Sequence, residues 1–157
     1  MGVHFTARRL AVTLAATAFG VGVTILAPAA ASAQEGPTAP CNDRADACID
    51  LVNNLSWLMQ GGDVTYGPVP ISHGKPGYET PAGTFRVTFK NKDHISSIYN
   101  APMPNAVFFN GGIAFHAGSL NSRSAGCVRM LFEDSEVYFN TLQPGDTVQV
   151  VRGLPAG

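Results

Sequence analysis

The sequence predicts a β-rich domain with one short helix near its C-terminus. Three observations carry that expectation. Seventeen glycines and eleven prolines are spread through 157 residues, as in chains with many tight turns between short strands. Apolar residues alternate over short runs, as in Thr84-Phe85-Arg86-Val87-Thr88-Phe89. One stretch alone, from about Glu133 to Leu142, suits a helix, with Asp134 or Ser135 near its start and Pro144-Gly145 stopping it. With 45% hydrophobic and 13% charged residues the chain can bury one sizeable core and has no room for a second domain. A net charge of −1 gives no basic surplus for a phosphate backbone, so nucleic-acid binding is set aside.

Taken in order, residues 1–33 read as a targeting segment. Arg8-Arg9 supply positive charge, Leu10 to Leu26 are mostly apolar, and Ala31-Ser32-Ala33 is a small-x-small cleavage signal before Gln34. Export follows, with an uncleaved anchor as the alternative, because the apolar stretch is almost long enough to span a bilayer. Residues 34–46 form a lead, turn-rich and without periodicity at its start, and the domain runs over 47–153. Cys41 and Cys48 are close in sequence and meet an oxidising compartment after export, so a local disulfide joins them. That leaves Cys127 unpaired, as an intermolecular disulfide partner or a reactive group.

Strands are expected over Cys48 to Asn53, Leu55 to Gln60 and Val64 to Ser72, with Gly61-Gly62-Asp63 as a hairpin turn. Trp57 reads as a core or sheet-face aromatic. Gly74 to Gly83 is a turn-rich connection in which Tyr78 either contacts substrate or packs on its own loop. A strand over Thr84 to Phe89 comes next, then a polar, proline-bearing stretch from Asn91 to Asn105 that reads as an exposed loop or lid. Ala106 to Phe109 and Ile113 to Phe115 form a hairpin across Asn110-Gly111-Gly112, which puts His116 at the end of a buried strand. A last strand holds Val148 and Val150 in alternation with Thr147 and Gln149.

The chemistry is concentrated between His116 and Arg129. A free thiol is mostly protonated at neutral pH, so a nucleophilic cysteine needs a base or a positive field beside it. His116 is the best-placed base for Cys127, joined to it by a closable loop of small and polar residues. Ser124-Ala125-Gly126 makes a tight approach in which the backbone amides of Gly126 and Cys127 can form an oxyanion hole. Arg129 lies on the same side as Cys127 if the strand is extended, and can favour the thiolate or bind a substrate carboxylate; a plain surface charge is the competing reading. His73 and His94 sit in turn-rich or polar segments and read as solvated; no ligand pair stands at short spacing, so no metal is expected.

These residues resemble the catalytic domain of the L,D-transpeptidases, cysteine enzymes of bacterial peptidoglycan. The resemblance rests on His116, Ser124, Gly126, Cys127, Val128 and Arg129, on Thr80-Pro81-Ala82-Gly83-Thr84-Phe85, and on Pro70 to Pro76, and it covers about residues 47–151. Ala125 stands where the family pattern has a second histidine, and the gap from His116 to Ser124 is shorter than usual.

The resemblance implies a β-sandwich-like fold. It implies attack by Cys127 on a stem-peptide carbonyl and His116 as base oriented through the Ala117 carbonyl; Arg129 and Ser124, with Tyr78 from its loop tip, are the candidate substrate contacts. It further implies release of D-alanine, transfer to an amine or water, acylation by carbapenem-type β-lactams, no cofactor, a monomer, and a place in cell-wall biogenesis and cell shape. The rival from another class is a non-catalytic wall-binding protein that keeps the groove; a secreted structural protein cross-linked through Cys127 is a further one. Papain-like peptidases place cysteine before histidine, and a sortase-like reading fits the Gly-Cys context poorly.

Overall fold

The computed structural model describes residues 38–153. The expected targeting segment over 1–33 and residues 34–37 of the lead lie outside the described residues. Among the described residues the elements are β1 (Ala47–Asp50), β2 (Leu55–Gln60), β3 (Asp63–Pro70), β4 (Gly83–Arg86), β5 (Phe89–Ile95), β6 (Pro102–Asn110), β7 (Ile113–Ala117), β8 (Val128–Met130), α1 (Phe132–Thr141) and β9 (Thr147–Val151). They form two sheets, in the orders β3-β2-β1-β9-β4 and β5-β6-β7-β8. The mainly β class with one short helix is as the composition and periodicity suggest.

Period-two alternation gives each sheet an inner and an outer apolar face. Ile49, Leu58, Val148 and Val150 of the first sheet share one core with Val107, Phe109, Phe115, Val128 and Met130 of the second, closed by Tyr138 and Leu142 from the helix end of the chain. Removing each such side chain from water contributes about 1.5–3 kcal/mol. The intervening residues supply two smaller clusters. Cys48, Trp57 and Met59 pack with Ala45 on the outside of the first sheet, and Met103, Ala106, Phe108 and Ala114 pack with Cys127 on the outside of the second. Trp57 is thus a sheet-face packing residue. Cys41 and Cys48 are disulfide-bonded, which pins the lead against β1.

Three expectations about elements need correction. The first strand ends at Asp50 and does not reach Asn53, because the buried Asp50 carboxylate accepts hydrogen bonds from the Val52 N–H (2.9 Å), the Asn53 N–H (3.2 Å) and Asn53 Nδ2 (2.6 Å) and curls the chain into a turn. The single strand expected over Thr84 to Phe89 is two strands in different sheets. Val87 N donates to Asp146 O (2.8 Å) and Thr88 N to Phe108 O (2.8 Å), so the chain crosses between sheets there. Phe85 keeps to the core side, whereas Phe89 stacks on Phe108 at 4.2 Å between ring centroids.

The third correction concerns Asn91 to Asn105, which is not a loop. Most of it lies in the β5–β6 hairpin, and the connection is only Ser96 to Ala101. β5 is an edge strand whose side chains mostly face water, so it carries no apolar alternation to read. Pro102 and Pro104 are tolerated because β6 there extends past β7, whose pairing begins only at Val107, and a missing N–H loses no ladder bond. Lys90 on this strand reaches the end of α1, donating from Nζ to Phe139 O and Leu142 O at 2.7 Å each. Cationic donors are favourable at that end of a helix, where carbonyls lack partners. The helix begins at Phe132, one residue ahead of the expected Glu133.

Candidate active site

β7 and β8 run parallel with Phe115 opposite Val128, His116 opposite Arg129 and Ala117 opposite Met130. Paired residues in a sheet project to the same side, so Phe115, Val128 and Met130 enter the main core while His116 and Arg129 face the other way. Cys127 joins them on that outer face, where it packs against Ala114's cluster. The strand pair therefore brings to one face the histidine, cysteine and arginine singled out in the sequence. They border a cavity of about 620 Å³, which Ser96, Ile98 and Tyr99 of the β5–β6 connection also line.

The loop entering Cys127 is held from two directions. Within it, Ser124 Oγ donates to Cys127 O (2.6 Å) and accepts from Gly126 N (3.0 Å), while Gly126 takes φ +117°, a left-handed conformation that favours glycine. From outside, the segment after β3 docks along it. Ser72 and Arg129 exchange backbone bonds of 2.9 and 2.7 Å, Ser124 N donates to His73 O (3.0 Å) and Lys75 N donates to Ser124 O (2.9 Å). Thr80, fully buried, completes the bracket by donating from Oγ1 to Gly126 O (2.6 Å) and accepting from Gly74 N (3.0 Å). Gly74 has no alternative there, because a Cβ would lie 2.0 Å from Tyr78 O.

His116 is 7% exposed, and its Nδ1 lies 2.8 Å from Ala117 O. A carbonyl oxygen only accepts, so the proton sits on Nδ1 and the lone pair on Nε2 is free to take another. Burial holds the His116 pKa below the ordinary histidine value; the Ala117 hydrogen bond opposes this, and the Arg129 and His94 charges add to it. Cys127 is half-buried, and its thiol donates to Gly112 O at 3.5 Å. Burial pushes that thiol up, against a smaller downward pull from the Ala114 backbone and Arg129. Both shifts disfavour the charged forms and run away from a thiolate–imidazolium pair.

The other candidate residues are placed as follows. Gly126 N–H is taken by Ser124 Oγ, so of the two amides expected in an oxyanion hole it is not free, and the Cys127 amide remains. Ser124 borders the cavity, yet its hydroxyl is spent within its own loop. Tyr78 is exposed, lies outside the cavity lining, and packs locally with Lys75 Nζ 4.9 Å from its ring centroid. His73 is not solvated but buried, 3.0 Å from Leu51 O through Nε2, with Arg123 Nη1 3.0 Å from Nδ1. His94 sits edge-on to Phe108 at 4.9 Å.

Among the described residues no group of three or more His, Cys, Asp or Glu is placed to hold a metal ion. Sequence reasoning missed Gly74 and Thr80 as supports of the loop, and Lys75 and Arg123 as lining residues. The Thr80-Pro81-Ala82-Gly83 run was visible, but only the fold shows what its threonine touches.

A family profile described as the L,D-transpeptidase catalytic domain, YkuD, matches residues 44–150. Among solved structures the chain is similar to an L,D-transpeptidase from Stackebrandtia nassauensis, with 27% identity, a TM-score of 0.69, and coverage of 79% of this chain and 64% of that one. It is also similar to one from Mycobacterium tuberculosis, with 28% identity, a TM-score of 0.59, and coverage of 64% and 54%. The L,D-transpeptidase LdtMt1 in complex with imipenem is a third, with 25% identity, a TM-score of 0.58, and coverage of 63% and 55%. The chain thus spans about half to two thirds of the length of these structures. No curated protein matches it. With the profile spanning both sheets and the His116–Cys127 face, the chain belongs to the YkuD family of L,D-transpeptidase catalytic domains.

Proposed function

We propose that this chain is an exported cysteine L,D-transpeptidase acting on peptidoglycan stem peptides at the cell wall. One observation carries the reading: His116 and Cys127 open from one sheet face into one cavity, with the imidazole held so that Nε2 is its free nitrogen. In the first half-reaction His116 Nε2 takes the thiol proton as Cys127 Sγ attacks the carbonyl of the third residue of the stem. The Cys127 amide and the cationic side of the cavity stabilise the oxyanion. The C–N bond then breaks, the imidazolium returns its proton to the leaving D-alanine amine, and a thioester remains. An incoming side-chain amine loses a proton to His116 and expels the sulfur, giving a cross-link; water in its place gives a carboxypeptidase.

The direction of both shifts fits a nucleophile deprotonated only when an acyl donor is in place, since burial disfavours both charged forms. The imipenem complex of LdtMt1 supports the expectation that carbapenems acylate Cys127. The test is intact-mass measurement after exposure to a carbapenem. The wild-type chain gains one adduct, Cys127→Ser gains none, and His116→Ala acylates more slowly by about 10²–10⁴-fold. A wild-type chain that stays unmodified returns the protein to the wall-binding reading, and an unchanged rate in His116→Ala removes that residue as the base.

A further inference from the structure

His73 is a buried titratable group that the acyl-transfer steps do not use, and it stands against the loop that leads into Cys127. Its Nε2 lies 3.0 Å from Leu51 O, and a carbonyl only accepts, so the ring hydrogen sits on Nε2. Arg123 Nη1 lies against both ring nitrogens, 3.0 Å from Nδ1 and 2.5 Å from Nε2. With the Nε2 hydrogen spent on Leu51 O, Nδ1 holds the one lone pair that can accept from the guanidinium. The neutral imidazole therefore bridges the turn after β1 to the active-site loop. An imidazolium carries hydrogens on both nitrogens and has no lone pair to offer Arg123.

Arg123 adjoins Ser124, the residue that shapes the approach to Cys127. Ser124 N donates to His73 O (3.0 Å), while Ser124 Oγ donates to Cys127 O (2.6 Å) and accepts from Gly126 N (3.0 Å). On the other side of Arg123, Ser122 O accepts from Ser72 Oγ (2.7 Å). Residues 118–123 belong to no helix or strand and Arg123 is exposed along most of its length, so the loop is held by such cross-links. His73 grips it twice, by its carbonyl at Ser124 and by its ring at Arg123. The first contact is indifferent to pH and the second is not.

The surroundings of the ring set the direction. Burial disfavours the imidazolium most, and Arg123 and Arg152, the two charged side chains that bear on the ring, are both cations and add to it; the Leu51 and Gly74 backbones act the other way. The His73 pKa is held below the ordinary value of 6.5, so the ring's hold on Arg123 is lost as pH falls through a value under 6.5.

We propose that His73 is a positioning residue for Cys127: its neutral ring accepts from Arg123 and steadies the loop through Ser124, and protonation of the ring releases that hold. The proposal rests on the acylation reading above and adds to it a second proton, one that acts at a distance from the sulfur.

Two measurements test it. In the full chain carrying Cys127→Ser, which needs no turnover, heteronuclear NMR from about pH 4 to about pH 8 follows the His73 ring, the Arg123 Nε–H and the Ser124 amide. The ring is the Nε2–H tautomer, and the Arg123 and Ser124 signals shift with the ring's midpoint. In the chain that keeps its thiol, carbapenem acylation is followed over the same range. The wild-type acid limb steepens beyond a one-proton slope as His73 joins His116, whereas His73→Gln, which has a donor and an acceptor but does not titrate, keeps a one-proton limb. One unit below the ring's midpoint the variant, scaled to its rate near neutral pH, exceeds wild type by about tenfold. An Nδ1–H tautomer, Arg123 and Ser124 signals that ignore the ring's titration, or equal slopes in the two chains overturns the proposal. Coupled titration in a chain that no carbapenem acylates sinks the proposed function and leaves the hold of His73 on the loop. Acylation with uncoupled titration sinks the hold and leaves the function.

Discussion

At the residue scale, the chemistry turns on how burial treats two titrating groups on one face. Burial lowers the His116 pKa and raises that of Cys127, moving both away from a resting thiolate–imidazolium pair. The sign of the pH dependence follows. A base must be neutral to accept the thiol proton, so acylation is lost as pH falls through the His116 pKa, and that limb lies below the ordinary value of 6.5. In His116→Ala the thiol must ionise unaided, so alkylation of Cys127 by iodoacetamide rises only above the ordinary thiol value of 9.0. Carbapenem acylation followed by stopped flow from pH 4 to 10 checks the first limb; an acid limb at or above about 6.5 contradicts a lowered His116 pKa.

At the element scale, the loop before Cys127 is stiffened by a segment some fifty residues earlier. Thr80 Oγ1 joins Gly74 N to Gly126 O with no water access, so one hydroxyl satisfies a donor and an acceptor at once. Thr80→Val keeps the shape and strands both groups, each at a cost of about 1–3 kcal/mol. The variant is expected to unfold at lower urea and, if Cys127 is the proposed nucleophile, to lose kcat with little change in KM, because Gly126 adjoins it. A loss confined to stability, with full kcat, would show that the bracket holds the fold and not the position of Cys127. Gly74 belongs to the same device through its close approach to Tyr78 O.

At the scale of the whole molecule, the sandwich keeps its free thiol outside the main core. Val128 and Met130 of β8 are buried between the sheets while Cys127 looks outward beneath the β5–β6 connection. The Cys41–Cys48 disulfide lies on the other sheet and is separate from that site. It closes a loop over a sequence separation of 7, and loop-closure entropy puts its contribution at about 2–3 kcal/mol. Cys41→Ser with Cys48→Ser should therefore lower the urea midpoint and leave the rate of carbapenem acylation of Cys127 unchanged. A variant with the wild-type midpoint would mean that the packing of Ala45, Trp57 and Met59 holds the lead unaided.

The sequence by itself determined the mainly β class, the hairpin at Gly61-Gly62, the helix to within one residue at each end, the Cys41–Cys48 pairing, and the His116, Cys127 and Arg129 trio. Those signals are local: turn glycines, two-residue alternation, cysteine spacing, and a histidine at the end of an apolar strand. Only the tertiary structure decided that Asn91 to Asn105 is mostly strand, that the chain changes sheets at Val87-Thr88, that Thr80 holds Gly126 O, and that Lys75 and Arg123 join the cavity. Two physical reasons account for these. A water-facing edge strand has no apolar pattern to betray it, and a hydrogen bond or a charge cluster between residues fifty positions apart leaves no mark on either stretch until the fold closes the distance.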